Sequence, residues 1–216
     1  MDKTVTAQFL LQGAVYAVHQ SGILLRDANI LFRNESFANA VVLAAYSQEE
    51  AGHGRMLLQY RADVLKGVVK TYREIKGQTE DHAAKQKFGM SYTFLKAGLD
   101  TGLGKLMQLA QQNTPEGKEA SKLLQIEIER KRKSQPEKRH EQRQTSLYVS
   151  SNNGTSWNVP SSVTSKTTAA QYLTEAANDY VNILMWLEPR FGADDAMIGA
   201  LKELKDVPKF LWPEAP

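Results

Sequence analysis

The stretch from Ser36 to Leu65, SFANAVVLAAYSQEEAGHGRMLLQYRADVL, constrains this chain more than any other. It reads as one long helix that is apolar through its first half. The same stripe then turns polar, because Val42, Tyr46, Glu49, His53 and Leu57 follow one another at three- or four-residue steps and share a face, with Glu50 beside them. Two carboxylates therefore point into a core. An unpaired buried carboxylate costs several kcal/mol or loses its charge, so Glu49 and Glu50 need cationic or hydrogen-bonding partners from elsewhere in the sequence. A chain with such a helix is organised by whatever answers those acids.

With 216 residues and 42% hydrophobic content the chain is long enough for one sizeable core, and a single domain over 1–216 is expected. Cysteine is absent, which removes disulfides, thiolate metal sites and cysteine nucleophiles together. MDKTVTAQ has no basic-then-apolar signal pattern, and no apolar run approaches the roughly 20 residues that span a bilayer. A cytoplasmic protein with no membrane partner is the expectation. The formal charge of +3 decides little, but its distribution is uneven. Arg130, Lys131, Arg132, Lys133, Lys138, Arg139 and Arg143 crowd one segment, whereas acids outnumber bases from Glu175 onward. Such a basic segment can meet nucleic acid, an acidic partner, or the chain's own acidic face.

The remaining pattern predicts a helical bundle, all-α apart from one small hairpin. A first helix is expected from about Thr4, as N-cap, to Phe32, packed antiparallel on the Ser36 helix across a short connection. The second helix is expected to continue, kinked near Gly67, to about Lys76. Gly77-Gln-Thr79 reads as a stop, with a third helix restarting at Glu80 and Asp81 and running through His82, Lys85, Phe88, Tyr92 and Leu95. Thr114-Pro115-Glu116-Gly117 opens a helix to about Lys133, which Pro136 bends or ends. Two short β-type runs, Ser146–Ser150 and Ser156–Val159, flank an Asn-Gly turn and form a hairpin that should lie against the helices. Helices over about 168–187 and 193–205 complete the chain.

Three groups of residues could carry chemistry. In a purely structural role Glu49 pairs with His53 one turn on, and Glu50 meets a basic side chain of a neighbouring helix. Glu50-Ala-Gly-His53 is also the Glu-x-x-His step of bundle metal centres, which need a second copy. The second copy, Glu137-Lys-Arg-His140, lies in the most basic segment, where positive charge opposes a dication, so no metal and no cofactor are expected. His82 follows Asp81 and precedes Lys85 at a helix start, from which it can face Glu49 or Glu50 and serve as an acid or base. Arg139, His140 and Arg143, with residues 130–133, could neutralise phosphates, and His140 could donate protons in RNA cleavage. A solvated charged face is the plain alternative for that run. No glycine-rich phosphate loop, serine triad or zinc motif is present.

In order, Ala44-Ala-Tyr-Ser-Gln-Glu-Glu-Ala-Gly52, Asp81-His82-x-x-Lys85, Arg143-Gln-Thr-Ser-Leu-Tyr-Val149 and Trp157-x-x-Pro160 resemble the AbiV family of bacterial abortive-infection proteins, within the HEPN superfamily of helical bundles. The resemblance spans about Phe37 to Pro160. It implies phage defence by shutdown of the infected cell, homodimers, and action on RNA or the translation apparatus. A metal-independent ribonuclease and a phage-encoded activator protein fit that picture. The residues singled out for chemistry are then His82, Glu50, Glu49, Asp81, Lys85 and Arg143, and those for nucleic acid Arg130, Lys131, Arg132, Lys133, Arg139 and His140. Ribonuclease members usually carry Arg, four to six residues, then His, a spacing this chain lacks: Arg73 stands nine positions before His82 and Arg132 eight before His140. His53 stands where the family's Lys is expected. A non-enzymatic protein whose basic patch docks an acidic partner is the alternative from a different class.

Overall fold

Small residues and serine make the first contact. On helix α1 (Ala7–Arg33) and helix α2 (Phe37–Leu65) the pairs Gly13 with Leu57, Val18 with Gly54 and Ser21 with Ser47 meet in opposite chain order, so the two helices run antiparallel. A Cβ on Gly54 would stand 2.9 Å from the Val18 side chain and 3.3 Å from the Ala14 carbonyl oxygen, which is why glycine is needed at this crossing. Ser21 donates to the carbonyl of Ser47 and Ser47 to that of Ser21, at 2.8 and 2.9 Å. These buried hydroxyls are thereby satisfied by the facing helix.

The structure, a computed structural model, describes residues 3–89, 102–152, 155–187 and 195–203. After α2 come α3 (Tyr72–Thr79), α4 (His82–Gly89), α5 (Gly102–Ala110), α6 (Pro115–Leu147), strands β1 (Ser150–Asn152) and β2 (Ser156–Asn158), α7 (Pro160–Val163), α8 (Lys166–Leu187) and α9 (Asp195–Lys202). The all-α bundle with a small hairpin is therefore the observed fold. Helix α2 is its axis, in contact with α1, α4, α6 and α8.

The core is in two parts. Around Val41, Ala44 and Ala45 of α2 pack Ala28 of α1 and Ala169, Tyr172 and Ala176 of α8. Around Ala51, Met56 and Leu57 pack Leu10, Leu11, Val15 and Val18 of α1 with Ile183 and Leu187 of α8. The buried polar residues Ser47, Gln48 and Glu49 lie between these clusters on α2. A polar belt thus crosses the bundle midway along its central helix. The apolar first half of α2 is covered within one chain, so it needs no second copy to bury it.

Several boundaries differ from the sequence expectation, each for a local reason. Thr6, not Thr4, caps α1, its hydroxyl accepting from the Phe9 N–H at 3.1 Å; Thr4 pairs instead with Thr71. Helix α2 does not continue to Lys76. Gly67, at φ 88°, closes it: its N–H reaches the Val64 carbonyl, and the Val68 N–H reaches that of Asp63, both at 3.0 Å. A new capping box, Thr71 with Glu74, then opens α3, and Gly77 lies inside that helix rather than ending it. Thr114 and Pro115 start α6 as expected, but the helix passes through Pro136 to Leu147. An interior proline costs about 3 kcal/mol; the turns beyond it bury Arg139, Arg143 and Ser146, and their contacts hold the helix together. Residues 146 and 147 are consequently helical and the strands have three residues each, in the register Ser151 opposite Trp157. The hairpin does not lie down on the helices: Tyr148, Val149 and Trp157 remain largely exposed. Tyr92, Leu95 and all the residues after 203 lie outside the described residues.

Candidate functional site

Glu49 is fully buried and is answered from two helices at once. One oxygen, Oε1, accepts from Arg143 Nη1 of α6 at 2.8 Å, and the other, Oε2, stands 2.6 Å from His82 Nδ1 at the start of α4. The other terminal nitrogen of Arg143, Nη2, lies 3.0 Å from His140 Nδ1, and its guanidinium sits 5.1 Å from the centroid of the Tyr46 ring. A continuous chain results: His82, Glu49, Arg143, His140. Its inner members are buried, whereas the His82 side chain is 52% exposed and His140 is exposed.

The partners fix the two imidazoles in opposite states. A carboxylate only accepts, so the nitrogen His82 turns to Glu49 carries a proton, and in the neutral ring Nε2 holds a lone pair. A guanidinium only donates, so His140 Nδ1 is the acceptor and its Nε2 bears the proton. One exposed ring in its neutral form therefore presents an acceptor at Nε2 and the other a donor.

Glu50, the next residue, has a separate environment. Its Oε2 lies 3.2 Å from His53 Nδ1 and its Oε1 3.7 Å from Lys85 Nζ. Burial acts to raise its carboxyl, but the hydrogen bond and charge of His53 together with Lys85 outweigh that and hold it below the usual carboxylate range. The pairing expected from spacing is thus changed: His53 meets Glu50 rather than Glu49, and of the two acids that His82 could face it meets Glu49. A three-residue step and a four-residue step both bring helix neighbours together, and only the placement of α4 decides between them. Asp81 is the N-terminal cap of α4, its Oδ1 accepting from the Ala84 N–H at 3.3 Å. Lys85 turns to Glu50 rather than to Asp81.

Arg139, one turn before Arg143, faces the acidic helix α8. Its Nη2 donates to Glu175 Oε2 at 2.7 Å and its Nη1 lies 3.8 Å from Asp179 Oδ2, which also accepts from Gln48 Nε2 at 3.1 Å. Arg139 is 4% exposed. It therefore neutralises the chain's own acids rather than presenting its guanidinium to solvent. Residues 130–133 lie on α6, and their side chains are outside the described ones. Burial, offset by Arg139 and reinforced by Glu175, pushes the Tyr172 phenol up to about 12. Sequence reasoning missed Gln48 and Asp179 as members of this belt. A signal was present for Asp179, which falls between Ala176 and Ile183 on the buried stripe of its helix.

No group of three or more His, Asp and Glu among the described residues is placed to hold a metal ion. No described helix is long and apolar enough to cross a membrane.

An all-helical bundle with a polar belt across its central helix is the class that fold and site define. The model of the HEPN family described as AbiV matches residues 9–181, and the chain belongs to this abortive-infection family. No curated protein and no solved structure matches it. The matched span contains the whole chain from His82 to His140 and the acids of α8 that answer Arg139.

Proposed function

We propose that the chain is an abortive-infection effector that cuts RNA, with His82 as general base and His140 as a hydrogen-bond donor to the phosphate. The supporting observation is the opposed state of the two exposed rings, set by one buried ion pair. In this reading His82 Nε2 takes the proton of a ribose 2′-hydroxyl, and the 2′-oxygen attacks the adjacent phosphorus. The bond from phosphorus to the 5′-oxygen breaks, and that oxygen leaves with a proton from solvent. The proton taken by His82 returns to solvent, while the Nε2–H of His140 donates a hydrogen bond to a phosphate oxygen. A 2′,3′-cyclic phosphate and a free 5′-hydroxyl remain, with no water consumed. Glu49 and Arg143 are positioning residues that hold the rings and do not touch RNA. The usual Arg-before-His spacing is replaced by Arg143 one turn after His140. Loss of RNA would shut down translation in the infected cell, under a trigger that infection supplies, and the family resemblance favours a homodimer as the acting form.

The test is cleavage of total RNA in the presence of chelator, with and without infected-cell extract. Cyclic phosphate ends are expected, and His82→Ala should lower the rate by roughly 100- to 10,000-fold while remaining folded. No cleavage by the unaltered protein under either condition, or an unchanged rate in folded His82→Ala, would refute the reading. Light scattering should give twice 24.2 kDa; the monomer mass at micromolar concentration would refute the dimer.

A further inference from the structure

Helix α6 brings His140 to the surface and then runs directly into the hairpin. His140, Gln144 and Leu147 stand four and then three residues apart, so they share one face of α6, and Leu147 is its last residue. From His140 to Leu147 is two turns, about 11 Å along the axis. An exposed apolar surface begins there: Leu147, Tyr148 and Val149 are open to solvent, and Trp157 of β2 is 71% exposed. Trp157 stands opposite Ser151 in the ladder, and Val159, two residues on and still extended, falls on the same face of the hairpin. An indole left beside a valine in water is a surface that a second flat ring would cover.

Size and charge select what covers it. Two strands of three residues span about 10 Å by about 5 Å between their axes. That is a small part of the roughly 800 Å² that each partner gives a stable protein interface, but close to the face of one nucleobase. From Gln142 to Thr174 the sequence has no Asp or Glu, and its charged residues are Arg143 and Lys166. Lys166 is exposed at the start of α8, two residues after Thr164, whose hydroxyl lies 3.0 Å from that of Ser146 in the last turn of α6. A polyanion along this end of the bundle therefore meets no carboxylate from the segment and one exposed ammonium. Ser150, Ser156 and Asn158 add uncharged donors of the kind that contact phosphate and sugar oxygens.

We propose that the hairpin is a stacking platform for single-stranded RNA, with one base on the Trp157 indole and the strand's backbone continuing along α6 towards His140. This rests on the RNA reading given above and supplies it with a surface that holds the strand by a base. Stacking accepts any base, so the platform gives grip and not sequence preference. Trp157 binds and moves no proton.

The probe is a 2′-O-methyl oligoribonucleotide, which lacks the attacking hydroxyl, so its binding is read whether or not the protein is a nuclease. Fluorescence anisotropy with the full chain should show Trp157→Ala binding roughly 5- to 150-fold more weakly, the loss of one stacked base. The slope of affinity against salt should not change, because no phosphate contact is removed. Trp157→Phe keeps an aromatic face and should retain most of the affinity, and both variants should melt with the unaltered protein, since only an exposed side chain is shortened. Inorganic polyphosphate, which has the charge without the bases, should bind Trp157→Ala and the unaltered protein alike. Three results would overturn the platform: undiminished oligonucleotide binding in folded Trp157→Ala, an equal loss in Trp157→Phe, or no binding by the unaltered protein at about 0.1 mM, the weak end of non-specific affinities. The first would leave the hairpin to a protein partner. The expected binding pattern without any cleavage would refute the nuclease reading and leave the platform standing.

Discussion

Arg139 and Arg143 stand one turn apart on α6, are equally buried, and each meets a carboxylate at under 3 Å, yet they belong to different kinds of network. Arg139 meets Glu175 and Asp179, Asp179 accepts from Gln48, and Glu175 also accepts from the exposed Gln171, partners that are all carboxylates and amides. Arg143 lies in a line, and both ends of that line are imidazoles at the surface. Burial and charge alone do not separate a structural arginine from one that serves a site. The separation comes from where the hydrogen bonds end: in the first case on carboxylates and amides, in the second on imidazoles that reach the surface.

The comparison can be broken most directly at Arg139. Replacing it with alanine strands two acids, Glu175 and Asp179, against α8, and breaking a buried pair from one side costs roughly 3–5 kcal/mol. Chemical denaturation of Arg139→Ala should show that loss, with RNA cleavage per folded molecule unaltered. A melt within experimental error of the unaltered protein would mean that water answers these acids and that the Arg139 pairs do not hold the bundle.

Arg143→Ala should cost less, roughly 1–3 kcal/mol, the range for a buried acceptor that loses one charged partner. The smaller figure follows from the other end of Glu49: His82 remains 2.6 Å away, half exposed, and can take up a proton to answer the acid. Cleavage should fall with it, because His140 loses the donor that fixes its ring. Resonances of the His140 ring in an NMR titration distinguish this from simple unfolding; a ring that titrates as before in folded Arg143→Ala would detach His140 from the network.

The sequence carries the fold and half of this contrast. The stripe of α2 shows that Glu49 and Glu50 face inward, and the basic run shows that cations are at hand. Neither pattern says which cation goes where, because Arg139 and Arg143 sit on the same face of α6 and differ only in the helix opposite. That choice is set by the passage of α6 through Pro136, a residue that local propensity reads as a terminus. The tertiary contacts of the last turns outweigh the local preference. The choice of Glu49 by His82 was hidden for a related reason: two residues separate α3 from α4, and the angle between those short helices is not written in hydrophobic periodicity. The hairpin shows the converse: the two runs do pair, although they are too short and polar to pack.

The smallest effect sharpens the contrast from the Arg139 side by pH. Tyr172 lies against Arg139 and Glu175, and its phenol titrates near 12 in the folded chain against 10.0 in an unperturbed one. Below pH 10 both folded and unfolded chains keep the proton, so Tyr172 adds no pH dependence. Between 10 and 12 the unfolded chain releases it and the folded chain does not, so deprotonation favours unfolding, and stability falls by at most about 1.4 kcal/mol per pH unit. Lysines and other tyrosines titrate in the same range, so the informative quantity is the difference between the unaltered protein and Tyr172→Phe. Unfolding curves at pH 9 and pH 11 should converge or cross, the phenylalanine variant losing less on the way up. Parallel losses would place the phenol in water and make the Arg139 cluster as open as the Arg143 line, which removes the distinction between the two arginines at its root.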